Sequence, residues 1–251
     1  MVKVMGSSPV ESTLRNMKID KIYVLAINHT QEKINDIIKR LEASEFEPGT
    51  DYTIITGHNA YTDKIPEGVS VYDKWGDPNH WNKFWQMPVQ TGEVGCTLSH
   101  IKGWTAIASE EGIERGLILE EDFSPVKGKA IKDLPEPEED WPFVWDYLSL
   151  GKWTFKKEND IKLNDTYCIP GLHYNMHAYV LTKIGAQKLV DYHLEKNLFI
   201  NDEFITATYM KHRREDIEAL YPIKTISAIA TNEDWFNQLA HKSMVSAHTR
   251  D

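Results

Sequence analysis

Three consecutive acidic residues, Glu120, Glu121 and Asp122, follow an apolar stretch and are the strongest chemical feature of this sequence. Residues 116–119 are predicted to form a short buried strand, and ligands of open α/β sheets bind beyond the carboxyl ends of strands. Alternate residues of an extended chain point the same way, so Glu120 and Asp122 are expected to face one site. Two carboxylates on one side suit Mg²⁺ or Mn²⁺ and leave coordination positions for a diphosphate. A solvated acidic turn is the alternative.

A second unusual string, TGEVGCTLSH, covers residues 91–100, where two glycines stand before a predicted helix. Glycine lets a ligand approach the backbone closely, and a helix N-terminus attracts anions. Ser99 and His100 fall beside the apolar stripe of this helix, so either side chain can reach a ligand. A polar helix surface, or packing in the case of His100, is the alternative. Cys96 has no flanking cation that would lower its pKa, so we expect a packed thiol rather than a nucleophile.

The elements that position these residues alternate between strand and helix, which predicts an α/β fold with a mostly parallel central sheet flanked by helices. Apolar and β-branched runs predict the strands, and apolar residues at helical spacing predict the helices. Strands are expected over residues 19–27, 52–56, 116–119, 145–150 and 178–182, with short final strands between residues 217 and 229. Helices are expected over residues 31–43, from residue 94 or 96 to about 110, and over residues 184–194 and 201–211.

Residues 58–92 are predicted to form a long irregular loop because they are rich in Gly, Pro, Asn and Asp. A loop of this length in a compact domain is usually a lid or a binding loop. Trp75, Trp81 and Trp85 lie within it. These tryptophans either offer a stacking face to an acceptor sugar or pin the loop to the core.

Composition limits the classes of function that the chain can have. Its 251 residues are 41% hydrophobic and 26% charged, which suits one globular domain. We expect residues 1–18 to be a flexible polar lead-in and residues 19–251 to form that domain. No stretch approaches the roughly 18 consecutive apolar residues needed to span a bilayer. The net charge of −10 argues against nucleic-acid binding, and the presence of only two cysteines favours a reducing cytoplasm.

These motifs together resemble glycosyltransferase family 25, which contains bacterial lipopolysaccharide-type transferases and the collagen galactosyltransferases. The matching segments are GEVGCTLSH at residues 92–100, LILEED at 117–122, HAYVLT at 177–182, GAQKL at 185–189 and NDEF at 201–204. The resemblance implies a GT-A-like fold in which the acidic motif holds Mn²⁺ or Mg²⁺. It also implies inverting transfer of a hexose, usually galactose, from a UDP-sugar donor to a glycan or other hydroxyl acceptor.

The resemblance also suggests which residue removes the proton of the acceptor. Inversion needs one general base beside the acceptor hydroxyl. Asp202 holds the first acidic position of the last family motif and is the expected base, with Glu203 as the reserve. The alternative is that both acids only stabilise the start of a helix that is capped by Asn201.

Residues at the strand ends are expected to hold the donor, because the ends of neighbouring parallel strands lie side by side. The expected donor-binding residues are Ala26, Ile27 and Asn28 after the first strand, Thr56 and Gly57 after the second, and Glu93, Ser99, His100 and Glu121. Glu120 and Asp122 are the expected metal ligands, completed by His248 from the C-terminal tail.

Two other classes of function stay open from the sequence. The first is a non-catalytic module that binds nucleotide or glycan. It is favoured because the acidic motif reads E-E-D, and because residues 25–29 depart from the I-N-L-D-R of the family. Another metal-dependent phosphate-transfer enzyme is the second rival. A nucleotidyltransferase usually carries a glycine-rich phosphate loop with a nearby basic residue, which we do not find in residues 25–33, and a two-metal hydrolase needs ligands spread over several strands.

Overall fold

The first β-α-β unit forms as its hydrophobic pattern predicts. β1 (Lys21–Ala26) and β2 (Asp51–Thr56) pair in parallel and are joined by α1 (Gln31–Ala43). Thr30 caps α1, because its side chain accepts a hydrogen bond from the Lys33 backbone N–H at 3.2 Å. The predicted bounds of α1 are confirmed.

The computed structural model describes residues 15–80, 83–154 and 157–239, which contain the following further elements. The strands are β3 (Arg115–Glu120), β4 (Phe123–Pro125), β5 (Tyr147–Ser149), β6 (Trp153–Thr154), β7 (Ile161–Lys162), β8 (Tyr167–Ile169), β9 (His173–Tyr174), β10 (Ala178–Thr182), β11 (Ala228–Thr231) and β12 (Phe236–Gln238). The helices are α2 (Thr91–Ser109), α3 (Lys183–Asp191), α4 (Asn201–Tyr209) and α5 (Glu215–Leu220). Short 3₁₀ helices occupy Lys83–Gln86, Ile131–Asp133, Lys157–Asn159 and Leu194–Asn197.

An eight-stranded sheet forms the centre of the fold, in the order β2-β1-β3-β10-β5-β11-β8-β7. β10 and β8 run antiparallel to their neighbours, and the other strands of this sheet run in the direction of β1. The predicted α/β class with a large central sheet flanked by helices is confirmed. The sheet is mixed because two of its strands are reversed. Two further ribbons pair β12 with β4 and β6 with β9.

Both faces of the central sheet are buried, because successive residues of its strands enter two different core clusters. Tyr23, Leu25 and Ile118 pack on one face with apolar side chains of α2, α3, α4 and α5. Ile22 and Val24 pack on the other face with apolar side chains of α1. Burial on both faces explains why these strands read as nearly continuous apolar runs.

Two predicted elements differ from the structure. Helix α2 begins at Thr91 instead of residue 94 or 96, so Gly92 and Gly95 lie inside the helix rather than before it. The region predicted as short final strands contains α5, and its strand β11 begins only at Ala228. Six residues are too few to show a helical period in the sequence, and the buried Ile217 holds α5 against the core.

The long loop between β2 and α2 is held against the helices by its tryptophans. Trp75 and Trp85 are 1% and 2% exposed, and the Trp75 ring stacks on Phe199 with centroids 5.3 Å apart. The Arg214 guanidinium lies 4.6 Å from the centroid of the Trp75 ring. These two tryptophans therefore pin the loop to the core and do not offer a stacking face. Trp81 lies outside the described residues.

The start of the described chain packs onto the domain. Met17 is buried, and its N–H donates to the Leu134 carbonyl oxygen at 2.7 Å. Residues 15–18 therefore contact the domain, although they were expected within the flexible lead-in, and the single-domain assignment of residues 19–251 stays a prediction. Within the described ranges, each helix is too short or too polar to cross a membrane.

Candidate active site

A cavity of about 390 Å³ opens at the carboxyl ends of β1, β2 and β3. β1 is the middle strand of the three, and the register places Leu25 opposite both Ile55 and Glu120. Residues that follow these strands therefore meet at one edge of the sheet. Eight of the predicted site residues line the cavity: Ala26, Ile27, Gly57, Ser99, His100, Glu120, Glu121 and Asp122.

Glu120 is held at the cavity wall by a buried chain of hydrogen bonds. His100 Nε2 lies 2.9 Å from Glu120 Oε1, and His100 Nδ1 lies 2.7 Å from the Tyr179 hydroxyl, to which Trp104 Nε1 donates at 2.8 Å. These contacts are all satisfied when Tyr179 donates to Nδ1 and Nε2–H donates to Glu120. Burial acts to raise the pKa of Glu120, but hydrogen bonding and electrostatic attraction from His100, with smaller contributions from His177 and Cys96, together outweigh burial and lower that pKa. His100 thus acts on the site by orienting an ionised Glu120.

Asp122 has one carboxylate oxygen without a hydrogen-bond partner in the described chain. Its Oδ2 accepts a hydrogen bond from Gln238 Nε2 at 2.9 Å, whereas Oδ1 is buried and unpaired. Burial and the neighbouring Glu120 carboxylate raise the pKa of Asp122 to about 6. A buried carboxylate oxygen without a donor is costly unless a cation satisfies it, so Asp122 fits a metal ligand.

His177 is a buried residue within electrostatic range of both carboxylates. Its backbone carbonyl oxygen accepts the Glu120 N–H at 2.9 Å, and its ring Nε2 lies 3.1 Å from the Phe236 carbonyl oxygen. Nε2 therefore carries the ring proton, and Nδ1 is a bare acceptor that is buried without a partner among residues 15–80, 83–154 and 157–239. This nitrogen does not converge with both carboxylates, because among the described residues the ligand atoms that lie within 4.8 Å of one another are those of Cys96, His100 and Glu120. His248, the predicted third ligand, lies outside the described residues.

Glu121 joins the ends of β1 and β3. Its carboxylate accepts hydrogen bonds from the Ile27 N–H and from Lys33 Nζ, both at 2.9 Å. Lys33 and Arg40 both line the cavity, but Lys33 is paired with Glu121 and Arg40 with Asp36, so a diphosphate competes with these carboxylates for their positive charge. The sequence interpretation misses these two cations. Their spacing of seven residues on the helix that follows β1 is the available signal, because such residues share one helix face.

Gly95 lets the loop after β2 pack directly on α2. A Cβ atom at Gly95 would lie 2.6 Å from the His58 carbonyl oxygen. One turn further along α2, Ser99 Oγ accepts the His58 N–H at 2.8 Å and donates to the Gly95 carbonyl oxygen at 2.7 Å. Gly95 and Ser99 therefore determine where the cavity wall formed by Gly57 and His58 lies.

We predict that Gly95→Ala destabilises the fold and weakens donor binding. Alanine favours a helix by about 1 kcal/mol over glycine, but the clash is with backbone, which no rotamer change relieves. Overpacking of this kind costs about 1–3 kcal/mol, so a net loss of stability is expected in urea unfolding. Thr105→Ala, an exposed substitution in the same helix, is the control and should not lose stability. An unchanged or higher urea midpoint for Gly95→Ala would contradict the prediction.

Cys96 forms part of the cavity wall beside Glu120. Its Sγ lies 3.6 Å from Glu120 Oε1 and 3.7 Å from Asn201 Oδ1. Ligand atoms of Cys96, His100 and Glu120 lie within 4.8 Å of one another. However, burial and the charges of Glu120 and Asp202 raise the pKa of Cys96 well above its ordinary value, and both His100 nitrogens are hydrogen-bonded. We therefore interpret this group as a hydrogen-bonded wall with a protonated, packed thiol.

Asp202 lies in the first turn of α4, within electrostatic range of Glu120. Its Oδ2 accepts the Asn175 N–H at 3.1 Å. Burial and the Glu120 carboxylate raise the pKa of Asp202 to about 6. A carboxylate with a pKa close to neutrality suits a general base. Ile200, rather than Asn201 as predicted, is the capping residue of α4.

Neither Asp202 nor Glu203 is among the residues that line the cavity, and Glu203 is buried in the core. It is 1% exposed, and its Oε1 accepts hydrogen bonds from Trp85 Nε1 at 3.1 Å and from the Tyr174 hydroxyl at 3.0 Å. Its Oε2 lies 2.8 Å from His212 Nε2. Both oxygens are engaged, and one of them holds a tryptophan of the long loop. This environment supports an anchoring role for Glu203 rather than the reserve role as base.

Three other predicted donor-binding residues are outside the cavity lining. Glu93 lies in the first turn of α2, where its carboxylate accepts the Gln90 N–H at 2.7 Å. Thr56 offers its carbonyl oxygen to Lys102 Nζ at 2.9 Å. Asn28 follows β1 with a left-handed φ of +55°. Their contacts with a donor stay predictions.

The sequence motifs and this site coincide with a known family. A family model described as glycosyltransferase family 25 (LPS biosynthesis protein) matches residues 19–206. The chain belongs to glycosyltransferase family 25. The match includes both expected carboxylate ligands and Asp202, so the resemblance inferred from the motifs is confirmed at the level of the family.

Family 25 proteins from animals are similar to this chain at low identity. "Procollagen galactosyltransferase 1" of Danio rerio is 26% identical over 173 residues, which cover 65% of this chain and 27% of that protein. A "Glycosyltransferase 25 family member" of Aedes aegypti is 23% identical over 241 residues, covering 92% of this chain and 34% of that protein. "Probable inactive glycosyltransferase 25 family member 3" of Rattus norvegicus is 24% identical over 157 residues, covering 61% of this chain and 27% of that protein. The chain spans about a third or less of the length of these curated relatives.

Proposed function

We propose that this chain is an inverting, divalent-metal-dependent glycosyltransferase that moves a hexose from a UDP-sugar to a hydroxyl acceptor. The observation that carries the proposal is the unpaired, buried Oδ1 of Asp122 beside an ionised Glu120, at the edge where three parallel strands end. A GT-A-like fold has a nucleotide-binding cavity at such an edge of the sheet, with an acidic motif in the cavity wall. The family assignment supports a sugar nucleotide as the donor, and the name of the Danio rerio relative supports galactose.

Different residues around the cavity would bind the metal, the diphosphate and the nucleotide of the donor. Glu120 and Asp122 would hold Mn²⁺ or Mg²⁺. A bound cation supplies a Lewis acid that offsets the charge developing on the leaving diphosphate. Lys33 and Arg40 add positive charge at the same edge of the cavity. The strand ends carry the nucleotide.

Asp202 is the proposed general base. It removes the proton of the acceptor hydroxyl while the hydroxyl oxygen bonds to the anomeric carbon and the bond from that carbon to the diphosphate oxygen breaks. A single displacement of this kind inverts the anomeric configuration. Burial keeps the pKa of Asp202 at about 6, so the group is ionised at neutral pH yet basic enough to accept a proton.

Thermal unfolding with UDP, in the presence and absence of Mn²⁺, tests the proposal. A ligand that binds only the folded state raises the melting temperature, so UDP is expected to stabilise the protein only when Mn²⁺ is present. ADP with Mn²⁺ and Mn²⁺ alone are the controls. A donor screen that measures nucleotide release then identifies the sugar. Stabilisation by UDP that does not depend on a metal would contradict the metal assignment.

We predict that the rate of sugar transfer falls at acidic pH, because Asp202 must be ionised to act as a base. The pKa of Asp202 is raised to about 6 in the metal-free protein, and a cation at Glu120 offsets part of this increase. Once the pH falls below the pKa of Asp202 in the metal-loaded protein, kcat/KM should fall about tenfold per pH unit. Saturating Mn²⁺ keeps Asp122 ionised, so this limb of the profile reports Asp202. UDP binding measured over the same pH range separates the two groups. A profile that stays flat well below pH 6 would remove Asp202 from the base role.

A non-catalytic nucleotide-binding module is the second candidate, because one relative carries the word inactive in its printed name. Such a module would show metal-dependent stabilisation by UDP but no nucleotide release with any donor. Nucleotide release that increases on adding a saccharide acceptor supports the transferase. Location in a reducing cytoplasm stays a prediction.

A further inference from the structure

The connecting segment, residues 174–177, runs from the end of β9 to the start of β10 and contacts the first turn of α4. Three successive residues of the segment contact three successive residues of α4 in reverse order: Tyr174 contacts Glu203, Asn175 contacts Asp202 and Met176 contacts Asn201. The carbonyl oxygen of the last residue, His177, accepts the Glu120 N–H at 2.9 Å. The connecting segment therefore contacts both the helix turn that carries the proposed base and the strand end that carries a proposed metal ligand.

Asn175 donates the hydrogen bond that fixes the Asp202 carboxylate. Its backbone nitrogen lies 3.1 Å from Asp202 Oδ2. Within residues 15–80, 83–154 and 157–239, no second hydrogen bond reaches this carboxylate, so Oδ1 stays available as an acceptor. A carboxylate that is bound at one oxygen has a defined orientation and can still accept a proton on the other oxygen.

Asn175 makes this contact in a backbone conformation that few residues adopt. Its φ is +71°, in the left-handed region, which disfavours residues with a Cβ and is tolerated best by glycine, asparagine and aspartate. A hairpin does not explain this conformation, because β9 pairs with β6 whereas β10 pairs with β3 and β5. Since φ is the rotation about the N–Cα bond, it sets the direction of the Asn175 N–H relative to the chain that continues into β10.

We propose that Asn175 is a positioning residue, whose N–H orients the Asp202 carboxylate for proton transfer from the acceptor hydroxyl. The inference rests on the proposed function, since it takes Asp202 as the base. Oδ1 of Asp202 receives the proton while the hydroxyl oxygen bonds to the anomeric carbon and the bond to the diphosphate oxygen breaks. Backbone conformations that are rare for a residue type are concentrated at functional sites, where they fix reacting groups in place.

The contact also affects the ionisation of the base. Burial and the Glu120 carboxylate raise the pKa of Asp202, and the hydrogen bond from the Asn175 N–H acts in the opposite direction. A donor that binds the ionised form favours that form, so loss of the contact should raise the pKa of Asp202 further.

Asn175→Val, compared with Asn175→Gly, tests the proposal. Valine is β-branched and is strongly disfavoured at positive φ, whereas glycine adopts this conformation freely. Asn175→Val is expected to lower kcat roughly 10–100-fold and to leave the KM for the UDP-sugar and the Mn²⁺-dependent stabilisation by UDP unchanged. The acid limb of its pH profile should move to higher pH, because the pKa of Asp202 rises. Asn175→Gly should keep most of the wild-type kcat and the wild-type pH profile.

NMR titration of the whole, metal-free chain gives a readout that does not depend on activity. In the wild type, the amide proton of Asn175 and the ¹³C-labelled carboxyl of Asp202 are expected to titrate with the same midpoint. The midpoint should rise in Asn175→Val and stay unchanged in Asn175→Gly. In Asp202→Asn the titration of the Asn175 amide should disappear.

His193→Val is the matched control for backbone strain. His193 also has a left-handed φ, of +52°, and it is an exposed residue before the 3₁₀ helix Leu194–Asn197. Valine at this position is expected to destabilise the fold without changing the titration of Asp202 or kcat per folded molecule.

Three results would overturn the positioning role: equal kcat and equal Asp202 titration in folded Asn175→Val and Asn175→Gly, an equal loss of kcat in His193→Val, or an Asn175 amide that does not follow the titration of Asp202. The wild-type titration decides the question even if Asn175→Val does not fold. Failure of the proposed function is seen separately, because transfer that survives Asp202→Asn removes the base role without altering the titration of the wild-type protein.

Discussion

Asp122→Asn is expected to abolish Mn²⁺-dependent UDP binding and to reduce turnover by more than about 100-fold. The substitution replaces one carboxylate oxygen with an amide nitrogen. The resulting amide is neutral and cannot supply the negative charge that holds a cation. Oδ1 of Asp122 is buried and lacks a hydrogen-bond partner in the described part of the chain, so the loss falls on ligand binding.

Folding should survive this substitution. The asparagine side chain can still accept the hydrogen bond from Gln238 Nε2, which Oδ2 now accepts. The pKa of Asp122 is raised to about 6 by burial and by Glu120, so without metal the ionised form is disfavoured in the folded state. Between the ordinary carboxyl pKa and about 6 the folded state binds more protons, and stability therefore falls as the pH rises through this range. The neutral amide of asparagine does not ionise, so it removes the loss of stability that the ionised Asp122 causes at neutral pH.

The measurement is the shift in melting temperature on adding UDP and Mn²⁺, together with nucleotide release. Asp36→Asn is the matched control, because Asp36 also lines the cavity but is paired with Arg40 at 2.9 Å. It should keep the metal-dependent stabilisation. Wild-type turnover of Asp122→Asn with Mn²⁺ would show that the metal assignment is wrong.

Asp202→Asn is expected to separate binding from chemistry. The variant should bind UDP and Mn²⁺ as the wild type does but lose transfer by about 10²–10⁴-fold, the range typical of a missing general base. An asparagine oxygen still accepts the Asn175 N–H, so the local turn should persist. Single-turnover rates and UDP-dependent thermal shifts measure the two effects. An equal loss of donor affinity would move Asp202 out of the base role.

Glu203→Gln is the informative companion variant, because the two acids are adjacent in sequence. The amide can still accept from Trp85 and Tyr174, but its nitrogen replaces the oxygen that contacts the buried His212. Loss of a buried charged hydrogen bond should lower the stability of the fold. Activity per folded molecule should change far less than in Asp202→Asn. A selective loss of transfer in Glu203→Gln, with unchanged stability, would restore Glu203 as the base.

Much of the fold and part of the site could be predicted from local pattern. The 3.6-residue period over α1 and the apolar run of β3 are properties of short segments, and both elements form where the sequence places them. The acidic motif directly follows a strand, so its position at the edge of the sheet depends only on strand direction. Glu120, Glu121 and Asp122 all line the cavity, because the chain turns at residues 121–122 and does not continue as the extended strand on which the alternation was predicted.

Packing between distant segments explains the errors. Because glycine disfavours helix, the prediction starts α2 too late. Gly95 nevertheless lies inside α2, and a glycine is needed there because a Cβ atom would clash with the loop at His58. α5 is too short for its period to be recognised. The sequence interpretation names no basic side chain near the donor, but α1 carries Lys33 and Arg40 to the cavity, because the face of α1 and the strand ends meet only after folding.

The amino-acid sequence by itself determined the strand-helix order, the family and the acidic motif at a strand end, because each is encoded by neighbouring residues. Only the tertiary structure decided which acid faces which environment. Asp202 and Glu203 are neighbours on one helix, so they project in directions about 100° apart, and the packing of α4 places Glu203 among Trp85, Tyr174 and His212. The unpaired nitrogen of His177 depends in the same way on contacts between segments far apart in the chain, which no local pattern records.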